Sequence, residues 1–239
     1  MKRLKRLFLF AAYDKDGIID DTLIYYIRHL KRYGDVIFCM DCDSNESELA
    51  KIKDYCLHIE AARHGEYDFG SYKRGYIWAR ENRILKEYDL VYLVNDSVFG
   101  PLIDMAQTFR RLESTKFEAT GLVLSEHRTH SFLESWFIRL NERVFMTKWF
   151  AEFMYSITAE QDKTDVTIKY EHGLTNLLVA KEMRIRALYT VRGRDTYNKP
   201  KKLFQQKFPF ISNRFNIIAL NILSSTFSHF INSLWMIYQ

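Results

Sequence analysis

Short apolar runs alternate with amphipathic stretches over the first hundred positions. Leu7-Phe8-Leu9-Phe10-Ala11-Ala12 carries no polar side chain and reads as a strand buried on both faces. Tyr13-Asp14-Lys15-Asp16-Gly17 ends it as a turn. Asp20 or Asp21 then caps a helix in which Leu23, Ile27 and Leu30 recur at helical spacing, and Gly34 closes it. Val36 to Met40 repeats the strand pattern, Glu46 to Tyr55 the helical one, and Cys56 to Ile59 gives a third short strand. Strand, helix, strand, helix, strand in this order predicts a mostly parallel sheet with right-handed crossovers.

Next comes Glu66-Tyr67-Asp68-Phe69-Gly70-Ser71-Tyr72-Lys73-Arg74-Gly75. Its glycines suggest a loop running into a helix capped by Ser71 and ending near Leu85. Leu90 to Val94 is the central strand, and Asn95-Asp96-Ser97 stands at its carboxyl end, where open α/β sheets bind ligands. Pro101 suits the first turn of a helix ending near Arg111. Phe117 to Leu124 is a further strand. In the run Phe132 to Ile138, Phe132, Glu134 and Trp136 share one face and Leu133, Ser135 and Phe137 the other. Asn141 to Tyr155 is helical by pattern. A helix beginning near Gly173 runs to about Met183, and a strand follows from Arg184 to Tyr189.

The last stretch changes the picture. Phe215 to Gln239 contains no Lys, Arg, Asp or Glu, yet Asn221, Ser224, Ser225, Ser228, His229 and Asn232 gather on one helical stripe. That is an amphipathic helix with an uncharged polar face, suited to packing on this domain, on a second copy as a homodimer, or on a membrane interface, and its length would also allow a bilayer span. The expected division is therefore a domain over residues 1–212 and a helical tail over 213–239.

Composition narrows the classes. A chain of 239 residues, 47% hydrophobic and 27% charged, fits one large globular domain, and 9 Gly with 3 Pro argue against long flexible linkers. Cys39, Cys42 and Cys56 are an odd number without a signal peptide, which points to a reducing cytoplasm and bystander thiols. The net charge of +5 is concentrated in Lys2, Arg3, Lys5 and Arg6 and in the segment from Arg192 to Lys207, including Arg194, Lys201 and Lys202. No nucleic-acid module accompanies these clusters, so a peripheral contact with the inner face of the cell membrane and simple solubility are the two uses left.

The chemistry-bearing residues suit a nucleotide-diphosphate sugar. Tyr13, Asp14 and Asp41 stand after the first two strands, where a base and ribose could bind. Arg63, Lys73 and Arg74 flank a loop whose Asp68 and Gly70 belong to the same donor site, with Gly65, Gly70 and Gly75 leaving room for a diphosphate. Asp96, a catalytic candidate, is a single acid in Asn95-Asp96-Ser97 and could take Mg²⁺ or Mn²⁺ with help from the Asn oxygen. Glu171 could cap the helix after it or serve as general base; spacing alone leaves both open. Glu134 and Trp136, together with Phe99 and the His172 next to Glu171, are candidate contacts to sugar.

The segments from Phe10 to Asp21, Gly65 to Lys73 and Leu93 to Pro101, with Glu134-Ser135-Trp136-Phe137, Tyr170-Glu171-His172-Gly173-Leu174-Thr175 and the closing Phe208-Pro209-Phe210-Ile211, together resemble the rhamnan synthesis protein F family of bacterial polysaccharide enzymes. The resemblance covers roughly residues 7–212. It implies a GT-A-like (Rossmann-like) domain that transfers a hexose, L-rhamnose from dTDP-rhamnose in the first instance, to a cell-surface polysaccharide, lipopolysaccharide or lipid-linked glycan acceptor. It also implies that the reaction inverts the anomeric centre with Glu171 as its base, and that Asp96 stands where such enzymes keep metal-binding acids. The chain departs from the family at Ala12, Phe132 and Glu134. Other donors, such as glucose, galactose or glycerol-phosphate nucleotides, and a non-catalytic role docking a polysaccharide-synthesis complex to the membrane, are the competing expectations.

Overall fold

The structure, a computed structural model, describes residues 4–113, 116–193, 195–199, 203 and 205–213. The expected tail helix over Phe215–Gln239, and with it the dimer and membrane roles assigned to it, lies outside the described residues. So do Lys2, Arg3, Arg194, Lys201 and Lys202 of the basic clusters.

In chain order the elements are β1 (Arg6–Ala12), α1 (Asp21–Lys31), β2 (Asp35–Met40), α2 (Glu46–Ala50), β3 (His58–Ala61), α3 (Tyr67–Glu81), β4 (Leu90–Asn95), β5 (Val98–Phe99) and α4 (Met105–Glu113). Then come β6 (Ala119–Glu126), β7 (Ser131–Leu133), β8 (Phe137–Asn141), α5 (Glu142–Phe145), α6 (Lys148–Tyr155), α7 (Lys163–Val166), α8 (Gly173–Ala180), β9 (Ile185–Arg192), α9 (Asp195–Asn198) and β10 (Ile211–Ser212). A π-helical turn over Thr167–His172 joins α7 directly to α8.

The central sheet has the order β3-β2-β1-β4-β8-β6-β7, with β9 also paired to β6. β1 is parallel to both β2 and β4, β2 to β3, and β6 to β9, whereas β8 runs antiparallel between β4 and β6. The expected mostly parallel sheet flanked by helices is therefore present, with β8 and β7 as the reversed strands. Alternation along the strands divides the core in two. Phe8, Phe10, Phe38, Tyr92 and Val94 meet Tyr26 and Ile27 of α1 and Phe109 of α4. Leu7, Leu9, Ile37, Val91 and Leu93 meet Tyr72 and Tyr76 of α3, Phe150 of α6 and Leu178 of α8.

Asp20 caps α1 by accepting from the Leu23 N–H at 2.8 Å. Pro101 is not in a first helical turn: it follows a cis bond from Gly100, and α4 starts only at Met105. The stretch read as a glycine-punctuated loop is helix from Tyr67 onward, and Ser71 lies buried inside α3 rather than capping it. Its glycines serve packing. A Cβ on Gly75 would meet Ile37 Cγ2 at 3.1 Å and Leu9 Cδ2 at 3.3 Å, so Gly75 lets α3 sit close against the sheet.

Arg139 of β8 is buried in this frame. Its guanidinium donates to the carbonyls of Phe117 at 3.0 Å and Leu112 at 2.9 Å and to Thr120 Oγ1 at 2.7 Å. It ties the end of α4 to the start of β6. Arg139→Met should lower unfolding free energy by about 3 kcal/mol, because these acceptors would stay buried without their donor. Chemical denaturation checks this.

Candidate functional site

The carboxyl ends of β1, β2 and β4 open into a cleft of about 620 Å³. Three groups of residues line it.

The first group begins with Asp41, directly after β2. Its carboxylate accepts the backbone N–H groups of His64 and Gly65, each at 2.8 Å, and of Tyr67 at 3.0 Å. Gly65 and Tyr67 both have positive φ, 71° and 55°, a conformation that is costly for tyrosine. Asp41 thus holds the strained turn that launches α3 and aims Asp68, in the first turn of that helix, into the cleft. The expected ribose partner is a clamp on the backbone. Asp41→Ala should cost about 3 kcal/mol of stability by leaving three N–H groups unpaired, which urea unfolding would measure. Beside it, the Arg63 guanidinium lies 5.4 Å from the Tyr13 ring centroid and donates to the Asp41 carbonyl at 3.0 Å. Tyr13 and Arg63 are both well exposed and form one wall of the mouth.

The second group is acidic. Asp68 Oδ2 accepts from Asn95 Nδ2 at 2.9 Å, and Asp96 Oδ2 accepts from the Tyr13 N–H at 2.8 Å. Burial, together with the Asp68 charge, raises the Asp96 carboxyl to about 7, while the Tyr13 bond works against the rise. Burial also raises Asp68. The single acid expected in Asn95-Asp96-Ser97 therefore has a partner, supplied by α3 rather than by its own loop. Two carboxylates, each with one oxygen still without a protein partner among the described residues, suit a hard divalent cation whose remaining ligands are phosphate oxygens and water. Among the described residues no cluster of three or more metal-ligating side chains occurs.

The third group surrounds Glu171. The segment α7, π turn and α8 is one continuous helix, and Gly173 has ordinary helical angles, φ −57° and ψ −43°. Glu171 therefore caps no helix. It sits in the π turn, a local widening found often at functional sites. Its Oε1 accepts from both the N–H and the hydroxyl of Ser135, each at 2.7 Å. Its Oε2 has no protein partner among the described residues. Burial raises the Glu171 carboxyl, and the Ser135 bonds restrain the rise. Lys163, in α7, lowers the carboxyls of Asp68, Asp96 and Glu171 by its charge. His172, with His127 and His130, covers the side of the cleft away from Tyr13.

Several expected site residues have their polar atoms or rings engaged in packing and bracing, although Glu134 and Trp136 still line the cleft. Lys73 donates to Glu66 Oε1 at 2.8 Å and to the Ile157 carbonyl at 2.7 Å, so it braces α3. A Cβ on Gly70 would strike Glu66, which makes its glycine a packing requirement and not a phosphate cradle. Asp14 caps its own turn, accepting from the N–H groups of Asp16 and Ile18. Trp136 is only 2% exposed, and its ring packs edge-on against Phe208 and Phe210, so little of it is open to stack on a sugar. Glu134 is buried, with Oε2 taken by Trp136 Nε1 at 2.7 Å and Oε1 by Thr196 Oγ1 at 2.9 Å. Burial pushes its carboxyl up to about 7. Phe99 of β5 pairs with Ile211 of β10. The closing segment returns to the site, where Asn213 Nδ2 donates to the Asp96 carbonyl at 3.1 Å.

A family model described as rhamnan synthesis protein F matches residues 36–230. The chain belongs to the rhamnan synthesis protein F family. A curated relative, an uncharacterized protein of Sinorhizobium fredii, is 25% identical over 185 residues, which are 76% of this chain and 48% of that protein. The chain thus spans about half the length of the curated relative it matches. Among solved structures, a putative nucleotide-diphospho-sugar transferase from Desulfovibrio desulfuricans G20 is similar with TM-score 0.45 and 15% identity, covering 85% of this chain and 90% of that one. The glycosyltransferase GlyE of Streptococcus pneumoniae TIGR4 is similar with TM-score 0.46 and 11% identity, covering 87% of this chain and 51% of that one. For this member of the rhamnan synthesis protein F family, no helix among the described residues is long and apolar enough to cross a membrane.

Sequence patterns missed Tyr67, Ser135, Lys163, His127 and His130. Lys163 lies in a stretch of exposed charges with no periodicity to distinguish it. Ser135 lies in the turn between β7 and β8, where the expected strand alternation gave no reason to single it out.

Proposed function

We propose that this domain is a glycosyltransferase that moves a sugar, L-rhamnose in the first instance, from a nucleoside-diphosphate donor to a hydroxyl of a growing cell-surface glycan, and that it does so with inversion. The observation that carries this reading is the meeting, in one cleft, of the Asp68–Asp96 pair with a separately fixed carboxylate, Glu171. Membership of the rhamnan synthesis protein F family supports it.

In this reading Tyr13 and Arg63 hold the nucleoside and its phosphate at the mouth of the cleft. Asp68 and Asp96 would hold Mg²⁺ or Mn²⁺, and a bound cation would neutralise the diphosphate as it leaves. Lys163 adds a positive charge near the same acids. Glu171 Oε2 takes the proton of the acceptor hydroxyl while that oxygen forms its bond to the anomeric carbon. The bond from that carbon to the phosphate oxygen breaks, and the nucleoside diphosphate departs with the electron pair. Ser135 keeps Glu171 in place through its two hydrogen bonds. Glu134 and Trp136 shape the floor beneath the sugar instead of touching it.

A panel of nucleotide sugars with Mn²⁺, read by melting temperature, tests this. dTDP-rhamnose should raise the melting temperature and dTDP alone should raise it less. No shift with any nucleotide sugar would overturn the proposal.

A further inference from the structure

His127, His130 and His172 converge on Phe132 from three segments: the end of β6, the loop before β7, and the π turn. The His127 and His130 rings are stacked, with centroids 4.7 Å apart and planes 4° apart. His172 lies 4.8 Å from His130 and 4.1 Å from Phe132. Only one nitrogen of His127 and one of His130 approach a protein group, Ser125 Oγ at 3.4 Å and Thr129 Oγ1 at 3.2 Å. The other ring nitrogens, and both of His172, have no protein partner among the described residues.

Among the described residues none of the three rings forms an ion pair with an acid. Glu126 and Arg192, paired in register at the ends of β6 and β9, are the nearest charges in those strands. Arg128 stands between the two loop histidines in sequence, and Lys169 and Glu171 share the π turn with His172. The Glu171 carboxylate is turned to Ser135, and Lys169 is paired with Glu160. Burial and then the neighbouring His130 and His127 lower the His172 imidazole from its ordinary value. A bound oxyanion beside the three rings would offset that effect at His172.

We propose that the His127–His130–His172 cluster is a binding subsite for a phosphate group carried by the acceptor. This rests on the glycosyltransferase reading for its placement. The cluster hangs from β6 and β7, whereas Asp96 ends β4; β8 intervenes, so two to three strand spacings, roughly 10–15 Å, separate the two positions. That leaves room for the transferred sugar between the donor diphosphate and the cluster. Glu171 and His172 are adjacent in the chain, which sets the base beside the hydroxyl of an acceptor anchored through its phosphate. The substrate class is thus a phosphorylated or diphosphate-linked glycan whose reacting hydroxyl is close to the phosphate.

The test is imidazole ¹H–¹⁵N spectroscopy of the full chain titrated with inorganic phosphate, and with sulfate, whose own charge is constant from pH 6 to 8. Signals of all three histidines should move together, with affinity for sulfate roughly tenfold higher at pH 6 than at pH 8. His127→Phe with His130→Phe, which keeps the stacked rings, should abolish the response of His172. Rings that stay still, or an unchanged response of His172 in the double variant, would overturn the proposal. So would movement caused by methyl rhamnoside and not by either anion, which would make the cluster a carbohydrate platform. Saturation with a nucleoside diphosphate separates the two sources of phosphate: a persistent response assigns the subsite to the acceptor, and a lost one assigns it to the donor and overturns the proposal. Phosphate binding here together with no melting shift by any nucleotide sugar would remove the glycosyltransferase reading while leaving the anion site.

Discussion

Glu171→Gln should lower the turnover of sugar transfer by 10²- to 10⁴-fold and leave the affinity for the nucleoside-diphosphate donor within a factor of two or three. The amide keeps an oxygen to accept from Ser135, so the π turn should retain its shape. It cannot take a proton. The comparison is single-turnover transfer against donor-induced melting shift in the same variant. Loss of both together would mean that Glu171 supports the donor site structurally. The pH dependence of the unmodified protein should agree. Burial raises the Glu171 carboxyl, so the ionised, competent base is lost on the acid side at a higher pH than for an ordinary glutamate.

The second large effect is expected at Asp68. Asp68→Asn should weaken Mn²⁺-dependent donor binding by roughly 10²-fold or more, because one of two carboxylates available to the cation is gone. The same substitution should stabilise the ligand-free protein at pH 8. Asp96 and Asp68 are both raised, Asp96 to about 7, so the folded state binds more protons than the unfolded state above the ordinary carboxylate range. Stability contributed by such groups is full below that range and falls as pH rises from it through the raised values. Glu134 acts in the same direction, and its rise from 4.5 to about 7 corresponds to about 3 kcal/mol. The melting temperature of the ligand-free protein should therefore fall from pH 5 to pH 8, and less steeply in Asp68→Asn. A steeper fall in that variant would mean that the two acids are already compensated by Lys163.

The parallel core was readable because its strands are buried on both faces and so appear as unbroken apolar runs, and because Asp20 announces a helix start. The candidate site was half readable. Tyr13, Arg63, Asp96 and Glu171 stand beside breaks in pattern, and the structure brings them to one cleft. Glycine misled twice. At Gly70 and Gly75 it serves close packing of α3, and at Gly173 it sits in uninterrupted helix; local sequence does not distinguish these from loop glycines. The pairing of Asp68 with Asp96 depends on how α3 lies across β1 and β2 so that Asp68 reaches Asn95 at the end of β4, a long-range contact with no local trace. Trp136 and Glu134 were expected to face a sugar from an alternation running through Phe132–Ile138, but a turn over 134–136 separates β7 from β8 and breaks it: Leu133 enters one core while Trp136 and Phe137 both enter the other, where Phe208 and Phe210 pack on Trp136.

The π turn over Thr167–His172 has a consequence for how this segment can vary. An α-helix advances 100° per residue, and the wider turn holds one residue more than an α-turn would. Removing one residue from Ile168 to Tyr170 would restore regular helix and swing Glu171 about 100° away from Ser135, unless α7 rotated with it. Exposed positions such as Ile168 and Lys169 can accept many side chains, yet the segment cannot change its length. Chain length here, more than side-chain identity, is what natural or engineered variants would have to keep.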